Sequence, residues 1–105
     1  MSSAVAWLET HIAEAPAQLR ERMQRALANA DETKPVAQQL SDAAMSCLSA
    51  SLSNTGERSC AIDLLAADAL LTHACQAAAE EGAESLVTLT ESMNADSFAA
   101  LLREQ

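Results

Sequence analysis

The sequence predicts an all-α fold: one domain over residues 1–105, a single compact bundle of five or six helices around a long central one. Three observations carry that expectation. Half of the residues are hydrophobic, yet the aromatics are limited to Trp7 and Phe98, and alanine and leucine supply most of the rest. β-Branched residues are sparse and glycine and proline number two each, which suits closely packed helices and leaves little material for strands. The stretch SCAIDLLAADALLTHACQAAAEEG is the longest run of strong helix formers. It predicts a central helix from about Arg58 to Glu81, roughly 36 Å long at the usual rise per residue.

The remaining elements follow from local signals. Ser2 or Ser3 caps a first helix reaching about Glu14, with Val5, Leu8 and Ile12 on one face. Pro16 suits the first position of a second helix, where its missing N–H costs nothing; one kinked helix is the alternative. Leu19, Met23, Leu27 and Ala30 form the apolar stripe of that second helix, and Arg20, Glu21, Arg22 and Arg25 its polar face. A turn over 29–34, with Thr33 as cap, leads to a third helix over about 35–52. Its stripe is Val36, Leu40, Ala43, Ala44, Cys47, Leu48 and Leu52, and its serine-rich end is expected to fray. Ser53-Asn54-Thr55-Gly56 is the next turn, and Asn54 with Glu57 has capping-box-like spacing. Gly82 closes the central helix with a left-handed cap. Two short helices over about 84–92 and 96–103 fold over it.

Composition bounds the function. The formal charge is −9 and the pI near 4.4, so the surface repels phosphate backbones and anionic bilayers; nucleic-acid and membrane binding are not expected. The acidity is uneven. Residues 1–55 hold six acids against four bases, residues 56–105 nine against two, a balance that suits solubility or a basic partner surface. Three cysteines (Cys47, Cys60 and Cys75) with no paired spacing, and a start without a secretory apolar run, point to a reduced, cytoplasmic setting.

The central helix itself is about long enough to span a bilayer between Cys60 and Ala79. Asp63 and Asp68 would each cost roughly 2.5–3.5 kcal/mol near the bilayer centre, which alanines do not offset. At 100° per residue, Cys60, Leu64, Ala67, Leu70, Leu71, Ala74, Ala77 and Ala78 share the buried side, with Ala67, Ala74 and Ala78 as a small-residue seam for a close neighbour. Arg58, Asp68, Thr72 and Gln76 mark the solvent side, flanked by Glu57, His73 and Glu80 and interrupted by Ile62 and Leu65. Those two apolar intrusions are covered either by the N-terminal helix or by a partner. Asp63 is out of place among apolar neighbours. Near a helix start a carboxylate is favoured by the dipole and reaches water; the alternatives are a buried pair with Arg22 or Arg25, or a ligand-binding role.

Chemistry-bearing constellations are weak. His11, Cys47, Cys60, His73 and Cys75 show no metal-ligand spacing, and His73 and Cys75 point about 160° apart on a helix, so no metal or cofactor is expected. No serine stands on a glycine-flanked elbow, and no cation beside Cys75 in sequence stabilises a thiolate, so the chain does not read as an enzyme. Asn94-Ala95-Asp96-Ser97-Phe98 resembles the Asp-Ser-Leu attachment motif of acyl carrier proteins, in which the modified serine opens a helix followed by two more. Phe98 departs from the motif and little chain follows it, so Asp96 and Ser97 read as helix-start residues. Trp7 and His11, four apart, are placed to stack.

The function expected is that of a small non-enzymatic interaction protein, a subunit, adaptor or regulator that binds a protein partner or a second copy of itself. Trp7, Ile62, Leu65 and Asp68 are the candidate interface. The alternative is a small-molecule binder with an apolar cavity between alanine-rich helices, with Asp63, His73 and Cys60 as the candidate polar site. A third reading makes Cys60 or Cys75 a thiol sensor.

Overall fold

In the computed structural model, which describes residues 3–53, 56–93, 99, 100, 102 and 103, alanine- and leucine-rich segments form five helices and, among the described residues, no strand. They are α1 (Ser3–His11), α2 (Ala17–Leu27), α3 (Val36–Ser53), α4 (Glu57–Glu81) and α5 (Ala83–Ser92). Asn54, Thr55 and residues 94–98 lie outside the described set, so the Asn54–Glu57 cap and the Asp96-Ser97 helix start lie there too. Residues 99, 100, 102 and 103 are helical, within the segment where a last helix is expected.

Proline and glycine set the boundaries. Pro16 separates two helices rather than kinking one: its φ of −55° and ψ of 144° are extended, and its carbonyl accepts the Arg20 N–H at 3.0 Å. It is therefore the flanking residue of α2, one position earlier than expected, and α1 stops at His11 rather than near Glu14. The residue before a proline is pushed out of helical geometry, which favours this early stop. Pro35 plays the same part for α3, accepting the Gln39 N–H at 3.0 Å. Thr33 does not cap that helix. Its N–H and hydroxyl both donate to Asp31 Oδ1, at 2.9 and 2.6 Å, and these bonds hold the fully exposed Asp31 carboxyl below its ordinary pKa. The Gln39 side chain, buried, donates from Nε2 to the Lys34 carbonyl at 2.8 Å and ties the turn to α3.

The serine-rich end of α3 does not fray within its described length. Ser51 Oγ donates to the Leu48 carbonyl at 2.7 Å and Ser53 Oγ to that of Ser49 at 3.2 Å, so the hydroxyls bond back along the helix instead of competing with it. This satisfaction lets Ser51 take the buried position while Leu52, expected in the stripe, turns outward.

α3 and α4 form an antiparallel helical hairpin. The Cys60 thiol donates to the Ser51 carbonyl at 3.4 Å near the connection, and Ala37 and Glu81 border one cleft at the far end. At about 1.5 Å per residue, the 25 residues of α4 are nearly as long as the molecule's greatest extent of 38 Å. The buried stripe of α4 is Asp63, Ala66, Ala67, Leu70, Ala74, Ala77 and Ala78. The alanine seam thus faces the core, where Ala37, Leu40, Ala43, Ala44 and Cys47 of α3 meet it, with Met23 and Leu27 of α2 and Leu8 of α1 completing the packing. Small side chains on both helices permit the close approach. Leu64, expected on the buried side, is 46% exposed, and Leu71 is half-buried. The buried arc is centred on Leu70 and Ala74, which leaves both leucines on the flank.

Gly82 turns the chain from α4 into α5. Its φ of 127° and ψ of 172° lie in a region essentially reserved for glycine, beyond the left-handed cap expected from the sequence. Its N–H donates to the Ala78 carbonyl at 3.1 Å, and Leu89 anchors α5 in the core. No helix among the described residues is long and apolar enough to cross a membrane.

Candidate functional site

α4 is the common wall of three surface features, formed with α2, α3 and α1. Against α2 it forms a cleft of about 590 Å³ lined by Gln18, Glu21, Arg22 and Arg25 of α2 and by Arg58, Ser59, Ile62 and Asp63 of α4. Asp63 is the anchor of its floor. The Arg22 Nε donates to Asp63 Oδ1 at 2.6 Å, with side-chain exposures of 14% and 10%. The pair explains how a carboxylate sits on the apolar side of α4: the charge is met by a guanidinium from 41 residues away rather than by water. The arginine pair, one of the readings open from the sequence, is present, and its partner is Arg22.

Against α3, α4 forms an apolar groove of about 230 Å³ lined by Ala44, Met45, Leu48, Leu64, Ala67, Asp68 and Leu71. Alanines make its floor and four longer apolar side chains its walls; Asp68 is the charged residue on its lining. By helical phase Glu57 lies on the same side of α4 as Leu64 and Asp68, two turns before the groove.

Against α1, α4 holds the aromatic cluster. Trp7 and His11 stack with ring centroids 3.7 Å apart and planes 13° apart. His73 meets both edge-on, with centroids at 5.9 and 6.1 Å. The Trp7 indole N–H donates to Glu80 Oε1 at 3.2 Å, and His11 Nε2 lies 3.9 Å from Glu80 Oε2. This cluster clasps the short α1 onto the middle and C-terminal turns of α4. Trp7 is thereby half-buried against the core.

The residues singled out from the sequence are distributed over these features. Trp7 belongs to the α1 clasp. Ile62 lines the arginine cleft, half-buried. Leu65 is 54% exposed on the outer face of α4, and Asp68 borders the groove. Of the polar candidates, Asp63 is in the ion pair and His73 in the clasp, with Nδ1 3.2 Å from Gln76 Oε1. Cys60 is engaged with the α3 carbonyl. The structure therefore brings neither set together as one site. Sequence reasoning missed Arg25 and Arg58 facing one cleft and Leu64 walling the groove. The three arginines in the sequence of α2 are a visible signal for the first, whereas the second depends on how α4 is rotated. Among the described residues no group of three or more His, Cys, Asp or Glu is placed to hold a metal ion.

The three thiols are free. Burial, with Asp63 nearby, pushes the Cys47 thiol above its ordinary value, against a smaller lowering by Arg22 and Arg25. Its reactive thiolate is accordingly suppressed. In native protein an aromatic disulfide reagent is expected to titrate Cys60 and Cys75 well before Cys47, which reacts only on denaturation. Immediate reaction of all three would mean that Cys47 is not sealed. The sign of the linked effect on stability is fixed. An unfolded thiol ionises near the reference value of 9.0 while the folded one stays protonated, so Cys47 lowers stability as pH rises through that range.

Comparison with known proteins adds no relative: no family model matches the chain, and neither does a curated protein or a solved structure.

Proposed function

We propose that this chain is a non-catalytic helical interaction module whose docking surface is the apolar groove between α3 and α4. Its occupant is the apolar face of an amphipathic helix with basic flanks. The observation that carries the reading is the groove itself: Leu64, nearly half exposed, stands with Met45, Leu48 and Leu71 over an alanine floor. Fully covering one such side chain contributes about 1.5–3 kcal/mol. A helix laid in a groove of this kind is a common mode of peptide recognition. Asp68 on the groove lining, on a chain of net charge −9, favours a basic helix over a second copy of this acidic one.

The test is a titration with a synthetic amphipathic helix carrying leucines on one face and lysines on its flanks, followed by fluorescence anisotropy and by light scattering of the protein alone. Binding is expected to weaken about tenfold or more in Leu64→Glu and with added salt, and to persist in Leu65→Glu on the outer face. A dimer in the protein alone that Leu64→Glu dissociates would make the occupant a second copy. A strict monomer that binds the helix equally well with and without Leu64 ends the reading.

A further inference from the structure

The cleft between α2 and the start of α4 goes beyond that reading, because its chemistry is the opposite of the rest of the surface. The chain has six basic residues against fifteen acidic ones, yet three of the six, Arg22, Arg25 and Arg58, line this one cleft. Its acidic lining residues are Glu21 and Asp63, and Asp63 is already matched by Arg22. That leaves two arginines from facing helices, Arg25 and Arg58, against Glu21.

The donors there are unspent. Arg25 and Arg58 make no ion pair among the described residues. Arg22 is fixed through Nε alone: no hydrogen bond reaches its terminal nitrogens from the described residues, and neither is among the buried unpartnered atoms. Those nitrogens are therefore not fully sealed from solvent, on a side chain that lines the cleft. The Asp63 contact at 2.6 Å holds the guanidinium in place, so presenting it to a ligand costs little further side-chain ordering. Ser59, in the first turn of α4, adds a hydroxyl beside the helix end whose N–H groups lack helical acceptors and whose dipole favours negative charge. Ile62 supplies one apolar wall.

From this arrangement we infer that the cleft binds the phosphate group of a small phosphomonoester, held between Arg25 and Arg58 with Arg22 as the preset third donor. Planar guanidinium forks match phosphate oxygens in pairs, and the space of about 590 Å³ is of the size that small-molecule sites have. A bare helix end or a single arginine would bind anions indiscriminately. Three arginines lining one cleft from two helices would favour the compact, doubly charged group over a single carboxylate.

The experiment is isothermal titration calorimetry of the full chain with adenosine monophosphate, glucose 6-phosphate and inorganic phosphate, with succinate and sodium chloride at matched ionic strength as comparators. Saturable binding of the phosphates is expected, weakened about tenfold in Arg25→Ala and in Arg58→Ala and unchanged in Arg103→Ala. Arg25 and Arg58 are exposed, so their removal leaves the core intact, and a thermal melt of each variant confirms that it is folded. Adenosine monophosphate or glucose 6-phosphate binding more tightly than inorganic phosphate would support an organic ester as the ligand. Succinate binding as well as the phosphates would overturn the assignment to phosphate. The absence of saturable binding, or equal binding by wild type and both folded variants, would overturn the site. Neither result bears on the groove between α3 and α4, which is tested by Leu64→Glu.

Discussion

Leu70→Ala is expected to destabilise the protein by about 4 kcal/mol, toward the upper end of the range for leucine truncation. Leu70 has no solvent exposure, and it stands in the α4 stripe between Ala66, Ala67 and Ala74, all buried. Those neighbours explain the size of the effect. An alanine has no rotamer to swing into a void, so the cavity left by the leucine stays open instead of collapsing. A domain of this size commonly has about 5–15 kcal/mol of stability in total, so the loss would be a large fraction of it. Urea unfolding is the measurement: the midpoint should fall with little change in the slope. A loss below about 1 kcal/mol would show that the stripe does not pack as described.

The second large effect is at the Arg22–Asp63 pair. Replacing Arg22 with methionine keeps much of the apolar stem and removes the guanidinium, leaving the Asp63 carboxylate, only 7% exposed, without its partner. The expected cost is about 3 kcal/mol, at the low end for breaking a buried pair because both side chains keep a little contact with water. Asp63→Leu should cost less. Arg22 lines the open cleft and its long side chain can turn its charge outward. The double variant should recover most of the loss, since an apolar pair removes both desolvation costs at once. A double-mutant cycle in urea reads the coupling directly. Strict additivity of the two single variants would mean that the 2.6 Å contact contributes nothing to stability.

Both predictions depend on α4, and they divide what was legible in the sequence from what was not. The direction of the α4 core was legible through its alanines, because Ala67, Ala74 and Ala78 repeat at helical spacing and have no other reason to align. The leucines were less informative. Leu64, Leu65, Leu70 and Leu71 lie at several angles around the helix, so their pattern fits more than one rotation. Only the neighbours decide that Leu70 is sealed while Leu64 walls an open groove. The stacking of Trp7 on His11 is local, four residues apart on one helix, and could be anticipated. Their clasp onto His73 and Glu80 crosses more than sixty residues and could not.

By itself the sequence determined the helical class, the breaks at Pro35 and Gly82, the strong net negative charge, and the anomaly at Asp63. Each of these is set by local backbone preference or by composition, which need no partner in space. That Pro16 separates two helices instead of kinking one came from the structure. The tertiary structure alone decided which arginine answers Asp63, that Arg58 faces Arg25 across a cleft, and that Leu64 stands at the edge of the α3–α4 seam. The physical reason is the same in each case. Helical periodicity fixes which residues share a face, whereas the partner of that face depends on how helices of nearly uniform small side chains slide and rotate against one another. Alanine surfaces permit close packing without dictating a register. Here an ion pair spanning 41 residues supplies one specific cross-helix contact that such surfaces lack.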